Sequence, residues 1–444
     1  MKFLRTLFGI ILILLAVVNC GKSEPQNKDD SFVVWAKQNS QEIKTLELTQ
    51  NADDLFLLKK IVGNAKAVFL GESRHDIHEQ YLLKRRFVKY LVEELGFTTF
   101  ILEASLPYAE KINKYILEGK GNIEEITANM PGWFLWDTEE TLTIINWMRD
   151  YNKDSLHKKK IEFYGIDIVA PNYGLNKIFN YLNKIDKATF EKFQKKYFAQ
   201  ETIDDNFWPN TLQQYSSLSV AEKETLAINY NDLYEQLKLN KTKYISNSSA
   251  DEYDWILCLA YCAKEANNMF SETDKLTMGL IRDKAMAENV LWIKKRANDE
   301  KIIVWAHNVH IAKAGFTMTA LPGSVIKGMG SFLSDQLKDK MISIGASFNR
   351  GEFEGWNKSF PPADEKTLDG TFAKLDYDYF LIDLKGKTEN EAVKDWLNTD
   401  KTLRGQDFDM TCVPVKSFDA FFFVDKVSRA VPNAGAREKF RNMN

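Results

Sequence analysis

Histidine and cysteine are scarce in this chain, at five and four residues out of 444. No CxxC pair and no Cys/His spacing of a zinc site occurs, which removes zinc-finger and thioredoxin-type readings. Cys258, Cys262 and Cys412 are too few and too scattered for a disulfide scaffold and read as buried apolar thiols. Charge of one sign is also lacking. The formal net charge is −3, with no concentrated basic stripe, so a nucleic-acid partner is not expected. There is no internal repeat and no Pro/Gly-rich linker, which favours one continuous domain over the two or three that the length alone would allow. Finally, no Gly-x-Ser-x-Gly elbow is present. Ser73 and Ser347 are the remaining candidates for a covalent serine, and a water-based reaction is preferred over both.

What is present begins with a basic start (Lys2, Arg5), an apolar run from Leu7 to Val18 and then Cys20. The run is shorter than the roughly 20 residues of a membrane span and suits a secretory signal. The following cysteine predicts a lipoprotein: residues 1–19 removed, lipid on the Cys20 sulfur, and the protein held at the cell envelope, facing the periplasm or on the outer membrane. Membrane contact is then through the anchor alone. Asn19 and Val17 depart from the usual small residue and Leu, and an ordinary signal peptide or an uncleaved anchor is the competing reading. Residues 20–40 read as a polar tether, 41–430 as the domain, and 431–444 as a tail.

Within the domain, short apolar runs predict strands at Ala67–Leu70, Thr98–Leu102, Ile161–Ile168, Lys301–Trp305, Met341–Ala346, Tyr377–Leu384 and Ala420–Val424. Helical periodicity separates the early ones. Ile77–Leu95 places Tyr81, Leu82, Phe87, Tyr90, Leu91 and Leu95 on roughly one side, with Gly96 as its stop. Thr138–Tyr151 follows Asp137 and Glu140 at capping-box spacing. Residues 172–299 hold amphipathic helices and no convincing strand. The predicted class is α/β: a mostly parallel central sheet flanked by helices, with a large helical insertion that serves as lid, cleft wall or sheet cover. The high aromatic content, 13%, fits a thick core or an aromatic-lined cleft.

Four of the five histidines fall in two clusters, each directly after a predicted strand. Gly71-Glu72-Ser73-Arg74-His75-Asp76-Ile77-His78-Glu79 follows AVFL, and His307-Asn308-Val309-His310 follows KIIVW. Glu103 and Asp167 occupy the same kind of position after two further strands. Ligands of open parallel sheets bind beyond the carboxyl ends of the strands. These four strand ends therefore predict one shared site. Histidine, with an ordinary pKa of about 6.5, suits a base near neutral pH.

GESRH resembles the GExxH motif of the erythromycin esterase family. GFTTFILEA, YAEKINKYI, FLWDTEETLTIINWMRDYN, FYGIDI, RDKAMAENVLW and IIVWAHNVHIAK continue the resemblance in order, from about residue 60 to about 350. The resemblance implies a hydrolase opening an ester or lactone with activated water, and no cofactor. It implies His75 as the general base, Glu72 as the group that orients or polarises the water, His307 as a second polarising or proton-transferring group across the cleft, and Glu103 beside them. It also implies Arg282 near the site. His310, Arg74, Asp167 and Trp136 complete the expected substrate-binding set, with Arg74, Arg282, His307 or backbone N–H groups as oxyanion stabilisers. One departure stands out. Asp76 replaces a usual Gly and is expected either to raise the pKa of His75 or to narrow the cleft. The expected partner is a small ester or lactone, macrolide-like or from the envelope.

Two other classes stay open at this point. The same Glu/His set, with His78 and Glu79, would serve a divalent metal in a hydrolase or peptidase. A non-enzymatic envelope lipoprotein binding haem or another ligand would use His307 and His310.

Overall fold

The computed structural model describes residues 28–48, 52–128, 130–197, 203–205, 207–298, 300–353 and 358–433. The signal peptide and Cys20 lie outside these residues. So do most of the tail and the first part of the segment read as a tether.

The described residues form twelve strands: β1 (Ser40–Glu42), β2 (Ala67–Leu70), β3 (Thr99–Ser105), β4 (Glu162–Asp167), β5 (Ile302–Trp305), β6 (Thr317–Met318), β7 (Met341–Phe353), β8 (Lys358–Phe360), β9 (Tyr379–Asp383), β10 (Lys401–Arg404), β11 (Asp409–Cys412) and β12 (Ala420–Ser428). Nine of them make one sheet in the order β1-β9-β12-β7-β2-β5-β3-β4, with β8 on the edge of β7. The run β12-β7-β2-β5-β3-β4 is parallel, and β9 joins it antiparallel. All seven strands expected from the sequence lie in this sheet. Their near-continuous apolar character follows from burial on both faces, since two hydrophobic layers sandwich them. The small sheet β10-β11-β6 was not anticipated.

The topology places the site. After β2 the chain runs to β3 and β4 on one side; β5 then slots between β2 and β3, and the chain leaves it for β7 on the other side of β2. The carboxyl ends of β2 and β5 therefore flank the point where the connections diverge, and a crevice opens there. Between β4 and β5 the described residues form seven helices: Asn172–Ile185, Lys187–Tyr197, Trp208–Ser217, Val220–Leu239, Lys241–Asn247, Ala250–Ser271 and Lys275–Arg296. They carry a hydrophobic core of their own.

Two local expectations need correction. The stretch read as a polar tether contains a helix, Lys28–Asn39, with Phe32, Trp35 and Ala36 buried. Phe32 stacks on Trp396 at a centroid distance of 3.4 Å and also faces Phe372. The apolar run Phe32–Ala36 docks this helix, with Val33 partly buried against the same cluster. The helix Glu139–Lys153 is capped by Thr138, whose side chain accepts from the Thr141 N–H, and not by Asp137. The Glu140 carboxylate turns instead to His78 and to the N–H of Val431.

Because Phe32 is fully buried between two aromatic rings, Phe32→Ala is expected to lower the unfolding free energy of the full chain by about 3–5 kcal/mol. Urea denaturation measures this; a loss under 1 kcal/mol would mean that the helix is not docked.

Candidate active site

Glu72 leaves β2 and is fully buried. Each of its oxygens is held. Oε1 lies 2.5 Å from His75 Nδ1; Oε2 accepts from the Lys84 ammonium and, at 2.9 Å, from Trp305 Nε1. Lys84 projects from the helix His78–Glu93 on the same buried stripe as Tyr81 and Phe87, and its Nζ lies 3.8 Å from the centre of the Trp305 ring. Burial opposes both charges, but Lys84 and His75 keep the Glu72 pKa below its ordinary value. Burial also pushes the Lys84 pKa down to about 8, with Glu72 resisting the shift.

Glu72 fixes the tautomer of His75. An ionised carboxylate has no proton to give, so Nδ1 carries the hydrogen and Nε2 is the basic nitrogen. Among the described residues no group bonds Nε2, and His75 lines a cavity of about 340 Å³. Its backbone N–H donates to Gln406 Oε1, and its ring packs edge-on to Trp136 at 5.2 Å. Burial disfavours the protonated ring, yet Glu72, then Glu103 and Asp76, raise the pKa.

Glu103 lies in β3 where the register with β4 slips between Leu102 and Ser105. A Cβ on the facing Gly165 would stand 2.4 Å from the Ala104 carbonyl, so glycine permits this bulge. Bulges re-aim side chains, and here Glu103 turns into the cavity. Its Oε2 accepts from the His307 N–H at 2.8 Å, and its Oε1 from Arg282 at 2.9 Å. Arg282, on Lys275–Arg296, is also clamped by both oxygens of Asp167 at the end of β4. His310 lies between Asp283, 2.7 Å from Nδ1, and Glu103, 3.1 Å from Nε2. Burial works against its charge, but the two carboxylates prevail and lift its pKa to about 10. His310 is thus an imidazolium. Its 3.1 Å approach to Arg282 is then a meeting of two donors bridged by Glu103, and not a hydrogen bond between them.

His307 occupies the same cavity wall in a different state. Nε2 lies 2.7 Å from the Ser73 carbonyl, an acceptor only, so Nε2 carries the hydrogen; Nδ1 accepts from the Val309 N–H at 3.3 Å. Burial and the neighbouring His75 push its pKa down to about 3. His307 was expected to polarise or to transfer a proton, and both of its ring nitrogens are engaged with backbone groups. The ring is neutral, its proton is tied to backbone, and His310 is the charged partner. Gly71 makes room for this turn. A Cβ there would meet Asn308 Oδ1 at 2.2 Å, and Asn308 pins the His307 segment to both backbone groups of Ala346.

Arg74 was expected among the substrate-binding groups, but it is buried outside the cavity. Its guanidinium pairs with Asp76, Asp407 and the Gln406 carbonyl and lies against Phe353 and Phe360. It holds the loop that delivers Gln406 and Phe408 to the cavity. Asp76 is held by this pairing and still adds to the field that raises the His75 pKa. Trp136 lines the cavity while donating from Nε1 to the Glu103 carbonyl, 3.0 Å. Ser73 and Ser347 are buried and bonded to Gln80 and Asp369. His78 pairs with Glu140, and Glu79 holds Ser428, so neither joins His75. Among the described residues no three His, Cys, Asp or Glu side chains gather as a metal ligand set.

Lys84, Trp305 and Gln406 were not anticipated. The signal for Lys84 was a lysine on an otherwise apolar helical stripe. Gln406 depends on tertiary placement that no local pattern carries.

Removing one member of a buried ion pair strands the other. Lys84→Met is expected to cost about 3–5 kcal/mol in unfolding free energy, and adding Glu72→Gln to recover part of it. A double-mutant cycle in urea checks this; additive losses would contradict the coupling.

The same architecture recurs in known proteins. The erythromycin esterase family matches residues 92–427, a range that begins after the Glu72–His75 segment. Erythromycin esterase type II from Escherichia coli is 29% identical over 72% of this chain and 78% of its own length. YbfO from Bacillus subtilis (strain 168) is 23% identical over 90% and 91%. Among solved structures, a succinoglycan biosynthesis protein superposes with a TM-score of 0.78 at 27% identity, covering 92% of this chain and all of that one. An erythromycin esterase variant in its open conformation shares the fold, with a TM-score of 0.71 at 17% identity over 89% of this chain and 99% of its own. With the match extending over most of its length, this chain belongs to the erythromycin esterase family, hydrolases of the ester and lactone type.

Proposed function

We propose that the chain hydrolyses a small ester or lactone by direct attack of a water molecule activated by His75. The observation that supports this most is the state of the three cavity histidines. His307 has its proton tied to a carbonyl and His310 is held as a cation, which leaves His75 Nε2 as the free base of the three. Water gives a proton to Nε2 as its oxygen bonds to the carbonyl carbon. The positive charge formed on His75 is balanced by Glu72. The carbonyl oxygen becomes an oxyanion, and the cations lining the cavity, His310 and Arg282, are the groups positioned to oppose that charge. Collapse breaks the C–O ester bond, and the departing alkoxide takes the proton back from His75. No covalent enzyme intermediate forms.

The cavity, about 340 Å³, is at the small end of the range for ligand sites of about 300–1,000 Å³. It favours compact esters and lactones, or one end of a larger one. On this reading the enzyme works at the cell envelope, anchored through Cys20. Labelling of the expressed full chain by a fatty acid, lost in Cys20→Ala, is expected; equal labelling of both would remove the anchor.

His75→Ala is expected to lower kcat/KM on a responsive ester by a factor on the order of 10²–10⁴. The pH dependence follows from the direction of the shift. Protonated His75 cannot accept a proton, so activity falls as pH drops through a pKa above 6.5. Glu72→Gln removes the leading cause of that rise and moves the acid limb to lower pH. A pH–rate profile tests both; an unmoved limb would assign it to another group.

A further inference from the structure

Arg74 belongs to the GESRH motif yet stays out of the cavity. What it holds is the turn between β10 and β11. Its Nη1 donates to the Gln406 carbonyl at 2.9 Å and to Asp407 at 3.0 Å. Lys358 pairs with the same Asp407. At the start of the turn the Arg404 N–H donates to the buried Asp369 carboxylate at 2.8 Å, and the Gly405 N–H donates to the Phe408 carbonyl. The turn is thus fixed from both ends, and the Gln406 side chain is left to line the cavity.

Gln406 meets the base directly. Its Oε1 accepts from the His75 N–H at 3.0 Å. That partner can only donate, so the amide oxygen faces it, and in a planar amide a fixed oxygen also fixes the nitrogen. Among the described residues no group bonds Nε2, which leaves two N–H donors on a side chain of the cavity wall. The cations of the site are less free. Both His310 nitrogens face carboxylates. Arg282 gives Nε and Nη2 to Asp167 and Glu103, and its Nη1 abuts His310. These cations oppose an oxyanion by their charge across the cavity. A short, directed hydrogen bond to it needs an N–H with no competing acceptor.

We propose that Gln406 is a catalytic residue: its Nε2 donates a hydrogen bond to the substrate carbonyl oxygen as that oxygen becomes an oxyanion. The role rests on the hydrolysis proposed above and supplies the donor that reaction needs. Because the amide is bonded to the backbone of the base itself, donor and base are held together. Water attacks the carbonyl carbon from the His75 side while the carbonyl oxygen is received by Gln406. No proton leaves the amide. The hydrogen bond tightens as charge builds and relaxes when the C–O ester bond breaks.

Two variants separate this role from mere support of His75. Gln406→Glu keeps an acceptor for the His75 N–H and loses the donor. Gln406→Met loses both and adds no charge. With phenyl acetate, above the acid limb of each enzyme, both are expected to lower kcat by a factor on the order of 10²–10³ with KM little changed. A wild-type kcat in Gln406→Glu would reduce Gln406 to a support for His75 and overturn the proposal. Binding needs no turnover. Phenyl methylphosphonate carries the tetrahedral anion that water addition to phenyl acetate creates, and its calorimetric Kd is expected to rise roughly tenfold or more in Gln406→Met. If the phosphonate loses affinity in this way but no ester is cleaved, the donor stands and only the hydrolase reading fails. If phenyl acetate is cleaved in a His75-dependent way and both Gln406 variants match the wild type, the hydrolase reading stands and the donor is overturned. Equal phosphonate binding in Gln406→Met, or none in the wild type, also overturns it.

Discussion

Everything at the site depends on a carboxylate that solvent never reaches. Glu72 is ionised at the bottom of the crevice because Lys84, Trp305 and His75 between them satisfy both of its oxygens. A buried charge held this way has almost no freedom to reorient, since moving either oxygen would strand a donor in the core. The rigidity passes directly to His75, whose tautomer and ring plane are set by the bond to Oε1. A base that must present Nε2 to a water molecule gains its orientation from the core of the protein and not from the loop on which it sits.

The remaining charges are organised around the same constraint. Glu103 connects the two halves of the site: its carboxylate holds the backbone of His307, the guanidinium of Arg282 and the ring of His310. It also adds to the field that favours a proton on His75. Three histidines within one cavity thus have three different states, each dictated by its partners. His75 is set against Glu72 and left free at Nε2. His310 is squeezed between two carboxylates and charged. His307 is bound to a carbonyl and neutral. Identical side chains acquire separate roles through environment alone.

The sequence made the outline of this arrangement legible, because strand-end positions in a parallel sheet converge whatever the loops do. Glu72, His75, Glu103, Asp167, His307 and His310 each follow a short apolar run or close one, and the sheet brings those ends together. What could not be read was anything that depends on which partner a side chain finds. Arg74 sits in the motif beside His75, yet it faces Asp76, Asp407 and two phenylalanines on the other side of the turn. Lys84 lies on the apolar stripe of its helix, but the sequence does not say that its partner is Glu72. Gln406 and Phe408 arrive from a loop between β10 and β11, whose pairing with the short β6 leaves almost no local pattern. The helix Lys28–Asn39 escaped because its apolar residues form one short run, Phe32–Ala36, between polar ends and do not make a recognisable period.

The account rests on one proton, and nuclear magnetic resonance can locate it. In the full chain labelled with ¹⁵N at histidine, the His75 ring is predicted to keep Nδ1 protonated throughout, while Nε2 titrates with a pKa above 6.5 and moves down in Glu72→Gln. A neutral His75 protonated at Nε2, or one that titrates below 6.5 and ignores the Glu72 substitution, would contradict the claim that a buried carboxylate prepares this histidine as the base.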